Sequence, residues 1–233
     1  MLKGWNVNYK KVYRLLKEAK LLGKKRNNPL RKRRLSPDRK PKPTAPYECL
    51  EMDFKYIYCP ELRKNVYLLT VLDVYSRKVL THIINTHMRH TSIMDIWNPL
   101  LETLGHVEHI GIRTDNGSQF ICKKTAEYFE LKNVNHEFTK PARPEENGHI
   151  ESWHSTLTRE LLNRNDYRKY AELKEKVASY IAFYNSERLH SSLDYMPPNV
   201  YLQDWENKTI SLKAERQQMA SLAVSLSSVP TQI

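Results

Sequence analysis

Cysteine is scarce in this chain: 233 residues contain three, Cys49, Cys59 and Cys122, widely spaced and with no CxxC pair. That argues against a disulfide framework and against a cysteine-based zinc module, and it favours a reducing compartment. Long apolar runs are missing as well. No stretch approaches the roughly 18 consecutive apolar residues of a membrane span, and residues 1–6 offer no apolar core for a signal peptide. No internal repeat is visible. Acids are scarce in one place only: the first 46 residues hold 16 Lys and Arg but just two acids, Glu18 and Asp38.

What is present follows from that asymmetry. The whole chain carries a formal net charge of +12. Residues 1–46 account for +14 of it, and the other 187 residues, with 22 basic and 24 acidic side chains, sum to −2. A basic arm is joined to a nearly neutral body that is long enough to bury one core. At 40% hydrophobic and 10% aromatic the chain is too apolar for a disordered polymer. A soluble protein of the cytoplasm with such an arm most often meets nucleic acid; a merely solubilising charge run is the alternative.

Residues 8–22 read as one helix, which Asn8 can cap and Gly23 can end. Val12, Leu15, Leu16, Ala19 and Leu22 form an apolar stripe; Lys10, Lys11, Arg14, Lys17 and Lys20 cover the rest. From Gly23 to Pro46 five prolines and the run Arg31, Lys32, Arg33, Arg34 describe an extended, solvated linker. From Tyr47 the pattern becomes that of a folded domain. Cys49 to Tyr58 alternates as a strand, with Leu50, Met52, Phe54 and Tyr56 on the apolar face and Glu51, Asp53 and Lys55 opposite. Residues 66–74 and 79–84 extend it into an antiparallel meander. A helix at Ser92 to Leu104, a strand at His109 to Thr114, a helix at Thr125 to Lys132 and a strand at Val134 to Phe138 follow. The stretch from Lys140 to Gly148 must be a loop, and two long helices, His149 to Leu162 and Ala171 to Glu187, complete the body. The order predicts an α/β fold, a mixed sheet of three antiparallel strands and two further strands, with helices on both faces. The body is expected over residues 47–205; residues 206–233, rich in Ser, Leu and Gln, are expected to hang loose or dock on a partner.

Three acids stand out by position. Asp53 lies mid-strand opposite the apolar face, Asp115 ends a strand at the loop Asn116-Gly117-Ser118-Gln119-Phe120, and Glu151 sits in the first turn of a helix. Each helical residue turns about 100°, so Glu151 flanks the stripe Ile150, Trp153, Leu157 and Leu161 rather than joining it. Gathered carboxylates repel one another unless a cation shares the site, and hard ions such as Mg²⁺ bind through a few carboxylates. Two such ions about 3.5–4 Å apart suit phosphodiester chemistry. The plain alternatives are a turn at Asp115-Asn116-Gly117 and helix-dipole pairing at Glu151.

The segments Leu50-Glu51-Met52-Asp53-Phe54, Thr114 to Phe120 and Glu146-Asn147-Gly148-His149-Ile150-Glu151-Ser152-Trp153-His154 resemble the three signatures of the retroviral-integrase-type catalytic core, with 35 residues between Asp115 and Glu151. The segment from Tyr184 to Pro198 resembles the closing motif of insertion-sequence-three family transposases, the product of their second reading frame. Together the likeness covers residues 47–202. It implies a ribonuclease-H-like fold and a polynucleotidyl transferase, a transposase that cleaves and joins DNA. Asp53, Asp115 and Glu151 would be both catalytic and metal-binding, holding Mg²⁺, with Mn²⁺ able to substitute.

The resemblance also implies partners: insertion-sequence ends and target DNA, further copies of the chain on that DNA, and a first-reading-frame protein or fused transposase. The setting is the bacterial cytoplasm, at the nucleoid. Candidate DNA contacts are Lys10, Lys11, Arg14, Arg31, Lys32, Arg33 and Arg34 in the arm, Lys140, Arg143 and Asn147 in a loop that closes over the DNA end, and Arg159. Arg188 and His190 are expected to be structural, and Trp153 to be core.

Two features stand apart from the family pattern. The lysines usual four and seven residues after the glutamate are replaced by Ser155 and Thr158, with Arg159 adjacent. Only the end of the usual basic helical region precedes the core, at Val7 to Leu22. His106 and His109 have no cysteine pair, so no zinc is expected. A competing reading is a non-catalytic DNA-binding or regulatory protein.

Overall fold

The computed structural model describes residues 7–22, 42–105, 110–140, 144–164 and 167–227. The chain divides into two compact units, Met1–Arg39 and Lys40–Ile233. In the first unit α1 spans Tyr9–Glu18, capped by Asn8, whose side chain accepts the Lys10 N–H at 2.9 Å. It ends short of Leu22 because Lys20 turns into the left-handed region at φ 55°. No residue of α1 is buried, and Val12, Leu15, Leu16 and Leu22 are all exposed.

The second unit is a five-stranded sheet ordered β3-β2-β1-β4-β5. Strands β1 (Cys49–Cys59), β2 (Lys64–Asp73) and β3 (Val79–Asn85) form the antiparallel meander. Strands β4 (Gly111–Thr114) and β5 (Asn135–Phe138) add in parallel beyond β1. Between β3 and β4 runs α2 (His90–Leu104); between β4 and β5 run α3 (Ser118–Ile121) and α4 (Lys123–Leu131). After β5 come a 3₁₀ turn at Pro144–Asn147, α5 (Gly148–Leu157), one π-helical turn at Thr158–Leu162, α6 (Tyr170–Ser186) and α7 (Pro198–Ser227).

Both sheet faces are covered, which is why β2 reads as an unbroken apolar run rather than an alternation. Val66, Leu68 and Leu72 pack with Ile150, Trp153 and Leu157 of α5 and with Leu173, Val177 and Tyr184 of α6. Leu69 and Val71 face the other way, toward Ile93 and Trp97 of α2 and Phe129 of α4. Strand β1 is shared likewise: Leu50 and Met52 belong to the second core, Ile57 and Cys59 to the first. Tyr56, expected on the apolar face, is 62% exposed. The packed layer on that side ends at Phe54, and Tyr56 beyond it meets the ring of its cross-strand partner Tyr67 at 5.2 Å.

From Pro198 a single helix continues as far as Ser227. No Gly or Pro interrupts residues 199–227, and their Gln, Lys, Ala, Glu and Leu content favours helix continuation. Tyr201 and Trp205 hold its first turns against Tyr75, with ring centroids 5.6 and 6.3 Å away. Among the described residues no helix is long and apolar enough to cross a membrane.

The closing motif is structural. Tyr184 packs on Trp153 with centroids 4.5 Å apart. Asn185 accepts the Val79 N–H at 3.0 Å and donates to the Val79 carbonyl at 2.9 Å, tying α6 to β3. Arg188 grips Glu160 through two hydrogen bonds of 2.9 and 2.8 Å, and Tyr180 donates a third at 2.8 Å. His190 sits edge-on to Tyr184, as its structural assignment requires. The Arg188 guanidinium holds the Glu160 carboxyl down at about 2. A depressed carboxylate stabilises the fold above its ordinary value near 4.5, and that contribution disappears as pH falls toward 2. Glu160→Gln is therefore expected to lower stability at pH 7 by about 1–2 kcal/mol, the range for charge-assisted bonds in a partly exposed setting. The gap to wild type should close below pH 4. Denaturant midpoints across pH measure it, and a gap independent of pH would contradict the assignment.

Candidate active site

The parallel pairing of β1 with β4 brings the acids together. Its register sets Cys49 beside Gly111, Leu50 beside Ile112 and Glu51 beside Arg113. The ladder ends there, two residues before Asp53 on β1 and two before Asp115, which lies just past the end of β4. The Asp115 loop is then pinned from three sides. The Asp115 Oδ1 accepts the Gly117 N–H at 2.9 Å. A Cβ at Gly117 would stand 2.9 Å from that same oxygen, so a larger residue there would push the Asp115 carboxylate aside. Phe120, at the loop's end, stacks on Phe54 with centroids 4.9 Å apart, and Asn116 donates to the Thr139 carbonyl at 2.9 Å.

Glu151 reaches the same neighbourhood from α5. Its stripe residues Ile150, Trp153 and Leu157 are buried while Glu151 itself is exposed, as the helical spacing predicts. Burial first, and the Asp53 charge second, raise the Glu151 carboxyl; His154 opposes them. Burial likewise raises Asp115, with the Asp53 charge adding and the Gly117 N–H opposing. Asp53 thus acts on both of its neighbours. His154, one turn after Glu151 and 6% exposed, brings its Nδ1 to 3.5 Å from the Asp53 Oδ2. Among the described residues, no group of three or more His, Cys, Asp and Glu side chains converges to hold a metal as it stands.

Beneath the acids lies a charged layer that the sequence reading left unassigned. Glu51, 1% exposed, accepts the Ile150 N–H at 2.8 Å. Its Oε1 is 3.7 Å from Arg113, whose guanidinium also donates to the Glu146 carbonyl at 3.0 Å and lies 3.5 Å from Glu137. Burial pushes the Glu51 carboxyl up to about 7, against the pull of the Ile150 N–H and Arg113. The available signal was the strand period: Glu51 and Arg113 each stand two residues before an acid and share its face.

The expected DNA contacts are distributed differently. Lys10, Lys11 and Arg14 are exposed on α1, with Arg14 3.7 Å from Glu18. Arg31, Lys32, Arg33, Arg34 and Arg143 lie outside the described residues, as do His106 and His109. Lys140 is exposed, and its N–H is held by the Glu146 carboxylate at 2.9 Å. Asn147, expected on a DNA-closing loop, is instead 5% exposed, because it joins the 3₁₀ turn to α5 where that junction packs onto the sheet. Arg159 leans back on Thr156 at 3.2 Å and lies 3.6 Å from Glu160, on the Arg188 side of the helix. Thr158 is turned inward to the His154 carbonyl at 2.7 Å, and Ser155 is exposed.

Two family models described as Integrase core domain match residues 43–144 and 132–198. The transposase for insertion sequence element IS904 of Lactococcus lactis is 30% identical over 162 residues, 67% of this chain and 62% of that protein. An uncharacterized 39.2 kDa protein of insertion element IS476 from Xanthomonas euvesicatoria is 27% identical over 194 residues, 83% of this chain and 55% of that one. The chain therefore spans somewhat over half the length of these relatives. Among solved structures, a chain of the simian T-cell lymphotropic virus intasome in complex with PP2A regulatory subunit B56 gamma superposes with a TM-score of 0.56 at 12% identity, over 68% of this chain and 55% of that chain. The HTLV-2 integrase catalytic core domain, solved with magnesium, gives 0.51 at 14% identity, over 66% of this chain and 95% of that one. Both show that the sheet and its helices form a ribonuclease-H-like fold.

Proposed function

Because the chain belongs to the integrase-core family, among insertion-sequence transposases of the insertion-sequence-three, second-reading-frame type, we propose that it is a metal-dependent polynucleotidyl transferase that cuts and joins DNA. The observation that supports this reading is the Asp53 charge, which raises the carboxyls of both Asp115 and Glu151, beside a parallel β1–β4 ladder whose last pair, Glu51 and Arg113, stands two residues before Asp53 and Asp115. The donor chemistry fits Mg²⁺: three hard carboxylates from three distant segments, whose repulsion a divalent cation relieves. Asp53, Asp115 and Glu151 would hold it, with Mn²⁺ an acceptable substitute. Bound as a pair, such ions activate an attacking oxygen and stabilise the departing one.

The chain's own residues do the rest. The stacked Phe54 and Phe120 keep the Asp115 loop against β1, so two of the carboxylates hold fixed spacing. In this reading Lys140 and Arg143 contact phosphates, and the basic face of α1 with the arginines that follow it gathers duplex DNA without reading its sequence. The DNA partners are the ends of an insertion sequence and its target. Further copies of this chain, and a first-reading-frame protein or fused transposase, complete the assembly.

The test uses DNA fragments from the two flanks of the gene. With millimolar Mg²⁺ the chain should produce nicks ending in 3′-hydroxyls, lost on chelation and restored by Mn²⁺. Mg²⁺ at 100 times its Kd should also raise stability by about 2.7 kcal/mol, a Tm increase of roughly 5–10 °C for a unit of this size. No metal-dependent product together with no metal-dependent rise in Tm would remove the reading.

A further inference from the structure

We propose that Glu51 and Arg113 are positioning residues that set where helix α5, and with it Glu151, stands relative to Asp53 and Asp115. The inference rests on the metal-dependent reading above and adds the parts that hold its geometry. Its foundation is a repeated offset. Glu51 lies two residues before Asp53, Arg113 two before Asp115, and Ile150, whose N–H Glu51 receives at 2.8 Å, one before Glu151. Glu51 and Arg113 are direct partners in the β1–β4 register. Glu51 therefore shares a sheet face with Asp53, one pleat repeat of about 6.7 Å away along β1.

The capping of α5 carries the argument further. Helices normally satisfy their first N–H groups with a Ser, Thr, Asp or Asn side chain at the N-cap. Here Asn147 occupies that position and makes no side-chain cap bond. The cap comes instead from Glu51, 99 residues away in sequence and on the strand that carries Asp53. A buried carboxylate is an expensive way to cap a helix if stability alone is served. Its second oxygen faces Arg113 at 3.7 Å, and Arg113 in turn donates at 3.0 Å to the Glu146 carbonyl in the turn that leads into α5. One ion pair thereby references strand β1, strand β4 and the start of α5 to a common point.

Three substitutions separate positioning from plain stability. Glu51→Gln keeps an oxygen in reach of the Ile150 N–H and should retain Mg²⁺ affinity within about threefold and cleavage within tenfold. Glu51→Asp keeps the charge but is one methylene short of the helix; it should weaken Mg²⁺ binding and cleavage by about 10–100-fold, the range for outer-layer partners of metal ligands. Duplex binding should stay unchanged, and amide exchange at His149 and Ile150 should speed up in the metal-free chain. Arg113→Lys, which loses the planar fork, should follow Glu51→Asp and serves if that variant does not fold. Calorimetry with Mg²⁺ alone, hydrogen exchange and cleavage are the readouts. Melting temperatures that fall while Mg²⁺ affinity stays within twofold of wild type in both Glu51→Asp and Arg113→Lys would overturn the proposal. Wild-type protein that neither binds Mg²⁺ nor cleaves would instead remove the functional reading beneath it.

Discussion

Asp115→Asn is expected to reduce metal-dependent cleavage by about 10³-fold or more, while the metal-free chain melts at the wild-type temperature or slightly above it. Charge stabilisation by a bound metal supplies several kcal/mol at the transition state, and about 1.4 kcal/mol is tenfold in rate, so loss of one anionic ligand reaches that size. The opposite sign on stability comes from the folded structure. Burial and the Asp53 charge both raise the Asp115 carboxyl. A carboxyl raised on folding disfavours the fold at pH values above its folded-state value, and the penalty is absent at low pH, where both states are protonated. Asparagine removes that penalty at neutral pH and can still accept the Gly117 N–H. The rise in Tm produced by Mg²⁺ should shrink in the same variant. A scan with and without Mg²⁺, beside the cleavage assay, checks all three quantities; cleavage within tenfold of wild type would end the case for Asp115.

Trp153→Ala should be the most destabilising single change near the site, by about 3–5 kcal/mol, or a Tm loss on the order of 10 °C. Trp153 is 1% exposed, two residues beyond Glu151, and packs between Tyr184 at 4.5 Å and Tyr180 at 5.9 Å. An indole so enclosed is a packing residue, as its place in the apolar stripe of α5 predicts. Its Nε1–H finds no partner among the described residues. Trp153→Phe should accordingly cost much less than Trp153→Ala, because it removes an unpaired buried donor along with part of the ring. Equilibrium unfolding of both variants measures the ordering. An alanine variant within 1 kcal/mol of wild type would show that α5 does not depend on this contact.

Much of the site was legible because its determinants are local. The strand period placed Asp53 away from Leu50 and Met52, and the helical turn placed Glu151 beside the stripe of Ile150 and Trp153. The loop at Asp115-Asn116-Gly117 followed from turn chemistry, and the Arg188 and His190 assignments from their position past a helix end. Asn147 was misplaced for the complementary reason: a polar residue in a Pro- and Gly-flanked stretch reads as exposed, and only packing against the sheet buries it. Tyr56 failed likewise, since alternation identifies a face but not how far the covering layer extends.

By itself, then, the sequence determined the two-faced sheet and the division between a +14 arm and a −2 body, readable from the strand and helix periods and from charge counts, while the choice of Asp53, Asp115 and Glu151 came from the motifs around them. Only the tertiary structure decided that Glu51 caps a helix 99 residues away and that Arg113 closes the same pair. Partner choice across that distance depends on which strands become neighbours, and no local rule contains that information.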